Sequence, residues 1–190
     1  MATQPPEPLA GLMRDHRAIE AAVTAVRGRL KRALGGPPAP DTADLLLELM
    51  GFQALLERDV ERHIAKEERV LFPALRTRLA ELSEFIDDML AEHDAIREQR
   101  QRLLTALDEL GDDHADVRGT LAELVAALQA GEGLHSLFAT LAPLLERLDW
   151  LFQGHFTGEE DGLFLPAEEL LSAETLSELA EQMTALDAAR

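Results

Sequence analysis

Apolar residues recur three or four positions apart in four long stretches of the chain, a spacing that places them on one face of an α-helix. In the first stretch this face carries Leu9, Leu12, Met13, Ile19, Val23, Val26 and Leu30. Glycine and proline residues mark where the stretches end. The four predicted helices run from near Pro8 to Leu34, from Asp41 to a stop or kink around Pro73, from Ser83 to near Gly111, and from between Ser136 and Leu141 toward Pro166.

The connections between the first three predicted helices are short, and short connections make neighbouring helices antiparallel. We therefore expect an all-α protein, built as an up-down-up-down four-helix bundle. Two amphipathic segments lie outside it. An insert at about 112–135 should form a short helix before the last bundle helix, and a C-terminal segment at 171–190 should pack back on the bundle. The predicted domain thus comprises the bundle at 1–170 and this C-terminal helix.

One string of residues occurs twice, in the second and in the last predicted helix. Residues 63–74 read HIAKEERVLFPA, and residues 155–167 read HFTGEEDGLFLPA. Both follow the pattern His-x-x-x-Glu-Glu-x-x-Leu-Phe, and the second copy has one extra residue, Leu165, before its proline. Two copies of so unusual a string indicate a shared chemical purpose.

The spacing within each copy explains that purpose. Residues four apart lie on the same face of a helix, about 5–6 Å from each other. His63 and Glu67 therefore point the same way, as do His155 and Glu159. A mixed set of imidazoles and carboxylates suits iron, manganese or zinc, and helical bundles hold such metals with side chains that project inward from facing helices.

Two further histidines lie within apolar stripes, His16 in the first predicted helix and His93 in the third. Counted from the helix ends, both fall at the same height in the bundle as the histidines of the repeat. A single histidine in a stripe is usually an ordinary core residue that hydrogen-bonds a neighbour. Four at one height, together with two glutamates that would otherwise be costly to bury, favour a metal site.

Other carboxylates near these positions allow more than one interpretation. Glu68 and Glu160 lie about 100° from the ligand face, and we interpret them as solvent-facing charges. Glu20 follows His16 by four positions and is either a further ligand or the partner of an arginine, with the second slightly favoured. Asp15 and Glu92 each precede a histidine and are candidates for supporting hydrogen bonds.

Three glycines, Gly154, Gly158 and Gly162, form a line in the last predicted helix. They leave room beside a metal for a small ligand, or they permit close helix packing, or they are a tolerated weakness that costs roughly 1 kcal/mol each against alanine. His114 and His135 fall in predicted loops and are expected at the surface.

Composition narrows the function further. A formal net charge of -18 argues against nucleic acid or an anionic membrane as a partner. The absence of cysteine excludes disulfides, thiolate metal sites and thiol catalysis. No stretch resembles a signal peptide or a membrane span, so we expect a cytoplasmic protein. The oligomeric state is left open.

As a set, these motifs make the chain similar to the hemerythrin-like (HHE cation-binding) domain family. The resemblance spans roughly Leu9 to Pro166 apart from the insert, and it rests on Asp15-His16, on Glu92-His93 and on both copies of the repeat. It implies two iron ions in a four-helix bundle, with zinc or manganese as possible substitutes. The implied terminal ligands are His16, His63, His93 and His155, and the implied bridging ligands are Glu67 and Glu159.

One departure from the family limits the functional prediction. Oxygen-carrying hemerythrins have a second histidine on the third helix where this chain has Arg97. The resemblance therefore favours a di-iron protein that binds, senses or detoxifies O2, NO or peroxide, or that handles iron, over a respiratory oxygen carrier. Two alternatives stay open: a di-iron oxidoreductase or Fe–S repair protein, and an interaction bundle whose site holds structural zinc or has lost its metal.

Overall fold

The computed structural model describes residues 7–35, 42–113 and 133–188, and within these ranges every regular element is helical. Helix α1 spans Glu7–Leu34. Helix α2 covers 42–78 as three α-helical segments, Thr42–Ala54, Glu61–Lys66 and Phe72–Arg78, which are joined by π-helical turns at Leu55–Val60 and Glu67–Leu71. A 3₁₀ turn, Ala80–Leu82, leads into helix α3, Ser83–Asp113.

Helix α4 covers 133–170 and is built in the same way as the end of α2. It consists of Gly133–Glu159, a π-helical turn at Glu160–Phe164, and Leu165–Leu170. Helix α5 spans Ala173–Ala188. The prediction of an all-α bundle is confirmed, while the up-down-up-down order and the division at residue 170 stay predictions.

The predicted start of the last bundle helix was too late. Helix α4 begins at Gly133, and Leu137 and Phe138 in its early turns are buried in the core. Residues 112–113 and 133–135 of the predicted insert lie in α3 and α4, and the insert itself stays a prediction. Its predicted short helix and His114 lie outside the described residues. His135 is exposed as expected, although it lies on α4 rather than in a loop.

Helix α2 continues past Pro73, where an end or a kink was predicted, and α4 continues past Pro166, toward which it was predicted to run. A π turn precedes each proline, so that the backbone N–H of Phe72 bonds to the carbonyl of Glu67, five residues back. Pro73 and Pro166 then occupy the first turn of the following segment, where a missing N–H costs nothing. In both helices the proline thus follows directly after a π turn, and the chain stays helical beyond it.

The apolar core is divided into two clusters along the bundle. One cluster includes Val23, Leu56 and Phe152, and the other includes Leu12 and Phe72. Each bundle helix passes from one cluster to the other at the level of its predicted ligand histidine. The histidines therefore lie in a polar layer between two apolar layers.

Helix α5 packs against α1 and α2 at the end of the bundle. Its apolar stripe of Leu176, Leu179 and Met183 is buried in the second cluster. The hydroxyl of Ser172 caps the helix by accepting a hydrogen bond from the backbone N–H of Thr175 at 3.2 Å. The C-terminal helix thus completes the apolar layer on one side of the polar one.

Candidate metal centre

The six side chains that the sequence singles out converge in the middle of the bundle. All of them are at most 1% exposed. They form two overlapping groups, and the potential ligand atoms within each group lie within 4.8 Å of one another. The first group consists of His16, His63, Glu67 and Glu159, and the second of His93, His155, Glu67 and Glu159.

Each glutamate faces one histidine of either group with a different oxygen. Glu67 Oε1 lies 3.1 Å from His63 Nε2, and Glu67 Oε2 lies 3.3 Å from His93 Nε2. Glu159 repeats this arrangement: its Oε2 lies 3.4 Å from His16 Nε2 and its Oε1 lies 3.5 Å from His155 Nε2. Both carboxylates thus span two adjacent positions, as bridging ligands do.

None of the inward-facing atoms of these six side chains has a hydrogen-bond partner. The Nε2 atoms of the four histidines and all four carboxylate oxygens of Glu67 and Glu159 are buried without one. Polar atoms left unpaired in an apolar interior are costly, and native structures contain few of them. Divalent cations at the two positions would satisfy all eight atoms at once, so the residues present fit a pair of metal ions.

In the metal-free cluster, burial and neighbouring charges shift the pKa values of several of the six side chains. Burial lowers the pKa of His16 and of His63, but the adjacent carboxylates outweigh it and raise the pKa of His16 to about 9 and that of His63 to about 10. Burial would raise the pKa of Glu67, yet the surrounding histidines hold that pKa well below its usual range. Burial and repulsion from Glu67 raise the pKa of Glu159. Metal binding must therefore displace protons from the cluster.

A second shell of four carboxylates surrounds the histidines and forms a closed ring. Each bundle helix presents a carboxylate, adjacent in sequence to one of its own inward-facing residues, to the histidine of another helix. The ring runs from α1 to α2, α2 to α3, α3 to α4 and α4 back to α1. Its contacts are Asp15 Oδ2 to His63 Nδ1 at 3.6 Å, Glu68 Oε1 to His93 Nδ1 at 3.0 Å, Glu92 Oε2 to His155 Nδ1 at 3.0 Å, and Glu160 Oε1 to His16 Nδ1 at 2.9 Å.

The interpretation of Glu68 and Glu160 as solvent-facing charges is therefore wrong. An angle of about 100° from the ligand face directs these side chains toward the neighbouring helix, where each forms a hydrogen bond with the Nδ1 of a histidine. Glu92 makes the hydrogen bond predicted for it. Such outer carboxylates fix the tautomer and the orientation of a metal-binding histidine.

Arg97 supports the ring by binding Glu68. Its guanidinium donates to both oxygens of Glu68, at 2.8 and 2.9 Å, and reaches Glu61 at 3.4 Å. The bidentate geometry holds the carboxylate that faces His93. Glu20 belongs to neither group of potential ligands among the described residues.

Lys66 is a functional candidate that the sequence pattern did not reveal. Its side chain is largely buried, and its Nζ lies 3.0 Å from Asp15 Oδ2 and 3.1 Å from Asp187 Oδ1. Asp187 lies on α5, so this contact depends on how the C-terminal helix docks. The one signal in the sequence was the repeat itself, which has Lys66 where the second copy has Gly158.

Aromatic rings close the site on its apolar sides. Phe156 stacks on the ring of His16 with centroids 4.0 Å apart, and Phe72 stacks on His93 at 5.6 Å. The space beside Gly162, the last glycine of the line, is occupied by Phe85. A Cβ added at Gly162 would lie 2.7 Å from Cε1 of Phe85 and closer still to its Cζ. At Gly162 the structure therefore supports close packing rather than room for a ligand.

A helical bundle with a buried histidine and glutamate cluster defines a metal-binding helical protein. The family model described as "Hemerythrin HHE cation binding domain" matches residues 7–113 and 105–188, and the chain belongs to this family. No curated protein and no solved structure matches it. In the part of the chain that the structure describes, no helix has the length and the apolar character needed to cross a bilayer.

Proposed function

We propose that this protein binds two iron ions and uses them to bind, sense or detoxify a small oxidant, namely O2, NO or peroxide. The observation that carries the proposal is the set of eight buried, unpartnered ligand atoms that fall into two groups sharing both carboxylates. The terminal ligands would be His16, His63, His93 and His155, and the bridging ligands would be Glu67 and Glu159.

The ligand count leaves room for an exogenous molecule. Each position receives two imidazoles and one oxygen from each glutamate, and non-haem iron sites that react with small molecules keep open coordination positions. Helix α3 contributes one imidazole, that of His93, and Arg97 one turn later binds Glu68. Neither metal position therefore receives a third imidazole from the described part of the chain. Iron would supply redox chemistry and a Lewis-acidic site for the oxidant.

The protein would contribute orientation, charge balance and exclusion of water. The two carboxylates offset part of the metal charge, which makes burial affordable. The ring of outer carboxylates holds the imidazoles with Nε2 facing inward. Phe156 and Phe72 cover the histidine rings, so a small uncharged ligand is favoured over a large or ionic substrate.

The test is the visible spectrum of iron-loaded protein, recorded oxidised, reduced, and after exposure to O2, NO or hydrogen peroxide. We expect absorption typical of an oxidised di-iron centre, which bleaches on reduction and changes with at least one of the three. Glu67→Gln and Glu159→Gln should abolish the signal, whereas Glu174→Gln, at an exposed position on α5, should leave it intact. A colourless protein after iron loading, or one that is inert to all three oxidants, would refute the proposal. Repeated turnover with a reductant would identify an enzyme rather than a binding protein.

A further inference from the structure

The ring of outer carboxylates has one weak contact. At His16, His93 and His155 the distance from Nδ1 to the carboxylate is 2.9 to 3.0 Å, a normal hydrogen bond. At His63 the distance to Asp15 is 3.6 Å, and His63 Nδ1 is buried without a hydrogen-bond partner. Of the four histidines, His63 alone lacks its outer hydrogen bond.

Two features distinguish this contact: its carboxylate belongs to an aspartate, one methylene shorter than the three glutamates of the ring, and a buried lysine binds it. The ammonium of Lys66 lies 3.0 Å from the same oxygen, Asp15 Oδ2, that faces His63, and Asp187 of α5 fixes the ammonium from the other side at 3.1 Å. Asp15 Oδ2 therefore accepts a hydrogen bond from the ammonium of Lys66 and not from His63. Asp15, Lys66 and Asp187 also line two cavities of about 270 and 430 Å³, neither of which His63 lines.

The second copy of the repeat shows the arrangement without a lysine. There, the residue that corresponds to Lys66 is Gly158, and the partner of His155 is Glu92 at 3.0 Å. Among the described residues, no lysine or arginine forms an ion pair with Glu92. Arg97 shows that a cation alone does not break such a contact, because Glu68 binds Arg97 and still lies 3.0 Å from His93. Any effect of Lys66 at His63 must therefore come from where its ammonium is held.

We propose that Lys66, anchored by Asp187, is a positioning residue that draws Asp15 away from His63 and makes the metal position of His16 and His63 the weaker of the two. This inference rests on the proposed function. An outer carboxylate that bonds Nδ1–H fixes the imidazole and makes it a better ligand. The missing hydrogen bond makes His63 a poorer ligand, and the positive charge of Lys66 repels a divalent cation. Both effects therefore weaken metal binding at this position.

The experiment measures Co²⁺ affinity at each position separately in the full-length chain. His155→Ala removes a ligand of one position, and His16→Ala removes a ligand of the other. In the His155→Ala background, Lys66→Met should tighten Co²⁺ binding by about tenfold, the lower end of the range for outer-shell changes. In the His16→Ala background the same substitution should change affinity by less than about twofold. Lys66→Gln serves as a second neutral variant.

Three controls separate this mechanism from general effects. Lys31→Met removes the same charge from an exposed position about 22 Å along α1 from the site, and it should have no effect. Lys66→Arg should keep the weak binding. Asp15→Ala should clearly reduce the gain from Lys66→Met and leave only the part due to the removed charge, because the recovered hydrogen bond requires the carboxylate.

Weaker or unchanged binding in Lys66→Met, in the background that keeps His16 and His63, would overturn this inference and leave the proposed function intact. An equal gain in both backgrounds would also overturn it, since only a general charge effect acts at both positions. If the unmodified chain binds no Co²⁺, the proposed function fails and this inference fails with it.

Discussion

Replacing Gly162 by alanine should destabilise the protein, because Phe85 occupies the space that the new methyl group needs. The added Cβ would lie 2.7 Å from Cε1 of Phe85, about 0.7 Å closer than an ordinary van der Waals contact begins. Overpacking of this kind costs about 1–3 kcal/mol. The gain from replacing a helical glycine is at most about 1 kcal/mol, and Gly162 lies in a π turn, where that gain is smaller. The expected net loss in the free energy of unfolding is about 1 kcal/mol.

Gly154 provides the matched control in the same helix. A Cβ added there meets nothing within 4 Å, so Gly154→Ala should stabilise by up to about 1 kcal/mol. The two variants should therefore differ by about 2 kcal/mol in urea unfolding of the metal-free protein. Phe85→Leu should recover much of the loss when combined with Gly162→Ala. If Gly162→Ala stabilises as much as Gly154→Ala, the packing argument is refuted and the idea of open space along the glycine line regains support.

Three further predictions concern protons, the C-terminal helix and the ring. The folded protein raises the pKa of His16 to about 9 and that of His63 to about 10. The stabilisation gained from protonating these two histidines is therefore complete below about pH 6.5 and disappears as the pH rises through these values. Urea unfolding of the metal-free protein should show this decline, and a flat profile would contradict it. Leu179→Ala on α5 should cost about 2–3 kcal/mol, whereas Leu170→Ala, at a residue 59% exposed, should stay within about 0.5 kcal/mol; equal effects in thermal or urea unfolding would argue against docking of α5. Arg97→Met should weaken Co²⁺ binding about tenfold, and Arg97→Lys should not restore it, because lysine cannot make the bidentate contact; full recovery would refute that role.

The sequence was sufficient to predict which histidines and glutamates face the interior of the bundle, because helical periodicity determines the direction of each side chain. Spacing of four positions brings His63 to Glu67, and the apolar stripes place His16 and His93 at the matching height. Glycine and proline marked the ends of α1 and α3 closely, whereas α2 and α4 continue past the prolines near which they were expected to end. The continuation of α2 past Pro73 was not predicted, because proline was read as an end or a kink and the π turn before it is seen only in the structure.

The outer shell could not be derived from the same pattern. Whether Glu68 and Glu160 face solvent or a histidine depends on which helix lies beside them, and periodicity along one helix carries no such information. The contact between Lys66 and Asp187 joins residues far apart in sequence, and it exists only because α5 docks on α1 and α2. Tertiary packing, not local propensity, decides these positions.

The central claim, that the cluster holds two metal ions through shared carboxylates, is tested most directly by metal content. Protein produced in iron-replete cells should contain two iron ions per chain by elemental analysis and by native mass spectrometry. Replacing both Glu67 and Glu159 by glutamine should remove both ions, because each glutamate contributes to both positions. A chain that holds no more than one ion after iron loading, or that keeps both without the two carboxylates, would contradict the account.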